Sequence, residues 1–120
     1  MREIKRIFIH CTASYQATTT EASLKAEFKA KGWKSPGYHY VVKPDGGIIN
    51  MWPEDKVSNG VQGYNSTSIN VAYIGGIDKQ HPKGIDNRTD AQKKALLELL
   101  AKLRLWDIGI LVLIRMVMVR

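Results

Sequence analysis

Three short runs rich in β-branched and aromatic residues, at 6–10, 38–43 and 69–74, alternate with stretches of helical or turn chemistry. That interleaving leaves few ways to fold: one sheet with helices packed on it. The run Arg6-Ile7-Phe8-Ile9-His10 predicts a largely buried first strand. Thr18 and Glu21 stand at capping-box spacing ahead of a helix over 21–31, with Leu24 and Phe28 four apart on its inner face and Gly32 as its stop. Residues 38–43 predict a second strand, and Pro44-Asp45-Gly46-Gly47 turns the chain back into a hairpin partner over 48–51. The polar segment 53–68, with Gly60 and Gly63, predicts loop; 69–74 predicts a third clear strand, closed by Gly75-Gly76. Thr89 and Gln92 then cap a long amphipathic helix whose apolar face holds Leu96, Leu97, Leu99, Leu100 and Leu103. The fold class is α/β (mixed α+β): a single central mixed β-sheet flanked by helices.

A chain of 120 residues suits one compact domain. Its most apolar run, 108–114, falls far short of the roughly 20 residues a membrane span needs, so no membrane span is expected. No signal peptide is read at the start, which predicts synthesis in the cytoplasm. The single cysteine, Cys11, excludes an internal disulfide and a multi-cysteine zinc cluster. Lysine and arginine total 18 against 11 acidic residues, for a net charge of +7, which favours polyanionic partners such as nucleic acid or an acidic wall polymer. The basic residues are scattered (Lys25, Lys29, Lys31, Lys34, Lys93, Lys94) and form no groove-reading motif, so the reading is a solvated basic surface on a monomer, with no nucleic acid partner.

Period-two geometry puts Phe8 and His10 on one face of the first strand and Ile7, Ile9 and Cys11 on the other. A histidine at a strand's end is either a metal ligand or a satisfied core histidine, and taken alone the second reading is preferred, because no spaced partner ligand is visible. Tyr38 taken alone reads as an ordinary half-buried strand aromatic. A series of motifs changes that weighting: residues 7–14 (Ile-Phe-Ile-His-Cys-Thr-Ala-Ser), Lys31-Gly32-Trp33, Gly37-Tyr38-His39-Tyr40, Asp45-Gly46, Gly63-Tyr64-Asn65, Ser68-Ile69-Asn70-Val71, Gly75-Gly76-Ile77-Asp78 and Thr89-Asp90-Ala91-Gln92. Over residues 4–105 this series resembles the phage-type N-acetylmuramoyl-L-alanine amidases and, more distantly, the animal peptidoglycan recognition proteins.

The resemblance implies a zinc hydrolase that cuts the peptidoglycan amide between N-acetylmuramic acid and the L-alanine of the stem peptide. It implies His10 as the first Zn2+ ligand and Tyr38 as the group that positions the attacking water and steadies the tetrahedral intermediate. It puts Tyr38 and Tyr40 on the site's face and His39 opposite or at the rim. Asn65 and Asn70 either line a substrate groove or cap a turn and occupy a strand edge. The partner implied is a muropeptide, in a phage or prophage endolysin setting, met in the cell wall after release. The chemistry is that of an open zinc position, where three protein ligands bring bound water to a pKa of about 7. A non-catalytic peptidoglycan-binding module is the alternative.

The resemblance calls for a further histidine, in a Gly-His-Arg-Asp-like motif, and a late cysteine; no histidine follows His81 and no cysteine follows Cys11. Cys11 reads as a small core hydrophobe and His81 as a solvated loop residue. Residues 106–120 form an apolar tail unlike the rest, so the amidase-like domain is read as 1–105, with the C-terminal part of the family fold missing. A shifted reading frame entered inside the Trp106 codon begins with glycine, and permitted synonymous codons continue it as His-Arg-Asp-Phe-Gly-Pro. The tail therefore reads as out-of-frame translation, an idea the gene sequence tests directly.

Overall fold

Alternation along β1 (Arg6–Cys11) sorts the core into two layers, one on each face of the sheet. The computed structural model describes residues 3–104 and 111–118. After β1 come α1 (Glu21–Ala30), β2 (Tyr40–Val42), β3 (Ile48–Asn50), β4 (Ser68–Tyr73), α2 (Asp90–Arg104) and β5 (Leu111–Met118), with one 3-10 turn, Asn65–Thr67, just ahead of β4. The strands form a single sheet in the order β3-β2-β4-β1-β5. All neighbours are parallel except the β2–β3 hairpin, so the sheet is mixed, as the interleaved pattern predicts.

On one face Ile7, Ile9, Cys11, Val42, Ile69, Val71 and Tyr73 pack beneath Ala95, Leu96, Leu99, Leu100 and Leu103 of α2. On the other, Leu24 and Phe28 of α1 cover Tyr38, Val41, Ala72 and Ile74, with Met51 closing the cluster. Each buried Leu, Ile, Val or Phe contributes roughly 1.5–3 kcal/mol of transfer free energy, so the two layers hold the sheet from both sides. Leu97, read as part of the apolar face of α2, instead lies 70% exposed, one residue round the helix from the buried stripe.

Helix entry departs from expectation in α1. The capping box is Thr20 with Ser23, not Thr18 with Glu21: the Ser23 N–H donates to Thr20 Oγ1 at 3.1 Å and the Thr20 N–H to Ser23 Oγ at 2.8 Å. Glu21 is the first helical residue instead, where its charge suits the helix N-terminus and pairs with Lys25 at 2.8 Å. In α2 the expected box forms. The Thr89 N–H donates to Gln92 Oε1 at 2.9 Å and the Gln92 N–H to Thr89 Oγ1 at 3.0 Å, an arrangement worth about 1 kcal/mol. Buried Gln92 also donates through Nε2 to the carbonyls of Val42 (3.1 Å) and Ile74 (3.0 Å), tying the start of α2 to the ends of β2 and β4.

Tyr38 and Tyr40 do not share a face. Tyr38 packs in the α1 layer and Tyr40 against the α2 layer. The ladder of β2 begins only at Tyr40, and just before it the His39 carbonyl accepts from both Met51 N–H (2.8 Å) and Trp52 N–H (3.4 Å). Two residues opposite one form a bulge on the Met51–Trp52 side of the hairpin, and Tyr38 lies ahead of the regular ladder whose alternation starts at Tyr40.

The apolar tail adds a strand at the sheet edge: β5 pairs in parallel with β1, matching Arg6 with Leu111, Ile7 with Val112, Phe8 with Leu113, His10 with Val117 and Cys11 with Met118. Between Phe8 and His10 the register shifts, β1 advancing two residues while β5 advances four. The boundary read at residue 105 and the tail residues 106–110, 119 and 120 lie outside the described residues.

Two phenols record the burial. The Tyr40 hydroxyl is pushed up from 10.0 to about 12, by burial first and then by the charge of Glu54. Tyr73 is likewise pushed up from 10.0 to about 12, by burial first, with Cys11 and Asp86 adding to it. A raised phenol pKa in the fold means stability fully present below pH 10.0 and lost as pH rises through the interval up to about 12. In a near-ultraviolet absorbance titration two tyrosines are expected to ionise late, together with loss of fold. Early ionisation of all five tyrosines in a folded protein would contradict this packing.

Candidate functional site

β1 delivers His10 next to its C-terminal end, on the α1 side of the sheet, fully buried. Its ring lies 5.5 Å from the Tyr38 ring at a tilt of 49°, and 6.2 Å from Phe8. Phe28 of α1 meets Tyr38 edge-on at 5.5 Å and stacks on Trp33 at the same distance, so α1 holds Tyr38 beside His10. On the neighbouring strand Asn70 pairs with Phe8 in register and carries its carboxamide to His10, Oδ1 lying 2.7 Å from Nε2. The other end of that carboxamide, Nδ2, donates to Ser58 Oγ at 2.8 Å.

His39 belongs to the same cluster. Its Nδ1 accepts the Asn70 backbone N–H at 3.0 Å and lies 3.2 Å from Ser58 Oγ, while its Nε2 lies 2.7 Å from the Lys56 carbonyl. The structure thus brings together His10, Tyr38, His39 and Asn70, and keeps Asn65 apart. Asn65 sits at the start of the 3-10 turn and accepts the Val61 N–H on Oδ1 at 2.7 Å, which is turn closure. Asn70 occupies an inner strand rather than a sheet edge, and both it and His39 are fully buried. Their side chains contact protein, as do those of His10 and Tyr38.

Sequence reading missed Ser58 and Gly60. Ser58-Asn59-Gly60 looks like ordinary turn chemistry, yet Ser58 and Gly60 are buried, and a Cβ at Gly60 would overlap the Asn70 carboxamide. Only the fold reveals that closeness. Just past β1, Ala13 takes a left-handed φ of 54°, a conformation costing roughly 1–2 kcal/mol outside glycine. Thr12 Oγ1 accepts the Gly75 N–H at 3.0 Å and the Ser14 N–H donates to the Gly75 carbonyl at 3.1 Å, which fix this loop against the end of β4. Between the loop and α1 runs a groove of about 460 Å³, lined by Ser14, Tyr15, Thr18, Thr19, Ser23 and Glu27 together with the apolar Leu24 and Ile77.

The donor chemistry around His10 does not fit a zinc centre. Zinc needs three or four His, Cys or carboxylate groups converging on one point, and no group of three such side chains does so among the described residues. Cys11 is buried in the α2 layer, on the opposite face from His10. His39 is engaged through both ring nitrogens, and His81 is 48% exposed, 2.9 Å from Asp78. On β5 the residue opposite His10 is Val117, and positions 111–118 (Leu-Val-Leu-Ile-Arg-Met-Val-Met) contain no donor of that kind.

The mixed sheet with α1 and α2 on its two faces recurs in solved structures. The Ph2119 endolysin from the Thermus scotoductus MAT2119 bacteriophage superposes with a TM-score of 0.78 at 28% identity, covering 95% of this chain and 72% of that one. Apis mellifera PGRP-SA superposes with a TM-score of 0.74, covering 94% of this chain and 71% of that one, and at 19% identity this shows the fold alone. The fold is thus one found both in a bacteriophage endolysin and in a peptidoglycan recognition protein. Residues 1–111 match the family described as N-acetylmuramoyl-L-alanine amidase (Amidase_2). The endolysin of Klebsiella phage KP32 is 36% identical over 110 residues, 90% of this chain and 72% of that protein. The chain belongs to the N-acetylmuramoyl-L-alanine amidase family, peptidoglycan hydrolases whose members are commonly zinc-dependent.

Proposed function

We propose that His10 and Tyr38 form the centre of the amidase site, and that the muropeptide lies in the groove of mixed polar and apolar lining between α1 and the loop after β1. The observation that carries this reading is the His10–Tyr38 pair, 5.5 Å between ring centroids, formed at the end of the first strand in a chain of this family. Tyr38 offers a phenol donor beside His10, the kind of group that stabilises an oxyanion growing on a scissile carbonyl. Ser14, Thr18, Thr19 and Ser23 offer hydrogen bonds to sugar and peptide along the groove. Zn2+ enters this reading through the family; with one donor at His10, no step is derived through it. On this reading the protein is made in the cytoplasm and meets the wall after release.

A second reading, a module that binds muropeptide without cutting it, is favoured by one observation: His10 is 0% and Tyr38 1% exposed, and the described residues supply no second metal donor there. Incubation with purified cell walls separates the two. Release of free amino groups supports the amidase site. Co-sedimentation without release supports the binding module, and neither binding nor release would overturn both.

A further inference from the structure

We infer that Asn70 is a positioning residue that locks the His10 imidazole as its Nε2–H tautomer, leaving the ring's lone pair on Nδ1. The inference rests on the proposed site only in making His10 its centre. It follows from a chain of hydrogen bonds in which each donor fixes the next.

The chain starts at groups whose roles are not in question. The Lys56 carbonyl can only accept, so His39 Nε2, at 2.7 Å, carries a proton. The Asn70 backbone N–H can only donate, so His39 Nδ1, at 3.0 Å, receives it with a lone pair. Ser58 Oγ, 3.2 Å from that same bare Nδ1, then turns its hydroxyl hydrogen toward His39 and faces Asn70 with its own lone pairs. At 2.8 Å from Ser58 the Asn70 carboxamide must therefore present its NH₂ group. Its oxygen is left facing His10, and a carboxamide oxygen only accepts. His10 Nε2, 2.7 Å away, must carry the proton.

Flipping the Asn70 amide is the one alternative, and it fails on the same geometry. The oxygen would then draw the Ser58 hydrogen, leaving Ser58 Oγ and His39 Nδ1 as two facing lone pairs 3.2 Å apart in a site with no solvent to relieve them. Ser58, His39, Asn70 and His10 are each 0% exposed, so water does not rearrange the network. The absence of a side chain at Gly60 gives the carboxamide its room. The consequence is functional: a hydrogen-bonded partner on one ring nitrogen sets which nitrogen acts, and how the ring points. Here the proton sits on Nε2, so Nδ1 is the ring nitrogen that keeps its lone pair.

The test is ¹⁵N NMR of the histidine rings in the full, metal-free chain. His10 and His39 are both expected as the Nε2–H tautomer. In Asn70→Leu the acceptor is lost and the His10 ring signals should move toward a mixture of tautomers. Finding His10 as the Nδ1–H tautomer in the unsubstituted chain would overturn the inference, even if Asn70→Leu fails to fold. An unchanged His10 tautomer in a folded Asn70→Leu variant would also overturn it. None of these readouts depends on wall cleavage, so failure of the amidase site and failure of this inference are separate results.

Discussion

Elemental analysis of the purified 120-residue chain is expected to find zinc well below one ion per chain, with added zinc failing to raise its wall-hydrolysing activity. Full zinc sites bind with about 10–16 kcal/mol because several charged or imidazole donors converge, and one imidazole supplies a small part of that. The donors cannot be recruited by small movements. Cys11 lies on the far side of the sheet from His10, His39 holds a buried network together through both nitrogens, and His81 sits in an exposed loop with Asp78. The strand beside β1 presents Val117 at the His10 register, with no donor anywhere along Leu111–Met118. Replacing His10 by alanine should accordingly change the small zinc content little. One tightly held zinc per chain, lost in His10→Ala, would sink this argument and require donors from outside the described residues.

Much of this architecture is legible in the sequence, because period and punctuation carry it. The alternation at 6–10 correctly separates His10 from Cys11, Thr89 and Gln92 correctly open α2, and Gly32 ends α1 with a φ of 77°. What local pattern leaves undetermined is decided by contacts between distant segments. The start of α1 is a local ambiguity: Thr18 with Glu21 and Thr20 with Ser23 have the same spacing, and the helix is capped by Thr20. Tyr38 and Tyr40 look equivalent in the sequence, but the regular ladder of β2 starts only at Tyr40 and the two rings pack in different layers. The motif series singles out His10, Tyr38, His39, Asn65 and Asn70, of which the fold gathers all but Asn65. Ser58 is 12 residues from Asn70 and 19 from His39, in a loop that reads as solvated, so nothing local marks it as part of a buried network. The tail is the reverse case: its strong β-propensity is plain, but only the exposed edge of β1 gives it a partner.

Gly60→Ala is expected to lower stability by about 2–4 kcal/mol, more than a typical surface loop substitution, and the reason is space rather than backbone freedom. Gly60 is not among the residues with positive φ, so alanine can adopt its conformation. The added Cβ would instead overlap Cγ, Oδ1 and Nδ2 of Asn70. Asn70 cannot yield cheaply. It is fully buried and bonded at both ends of its carboxamide, to His10 at 2.7 Å and Ser58 at 2.8 Å. Displacing it leaves buried polar groups without partners, each costing roughly 1–3 kcal/mol. Asn70→Ala should also destabilise, through the His10 and Ser58 groups it abandons, but it empties the volume that Gly60→Ala needs. In urea denaturation the double variant should therefore lose less than the sum of the single variants, with a coupling on the order of 1–3 kcal/mol. Strict additivity would mean that Gly60 and Asn70 do not compete for the same space, and the account of how the carboxamide is seated against His10 would have to be abandoned.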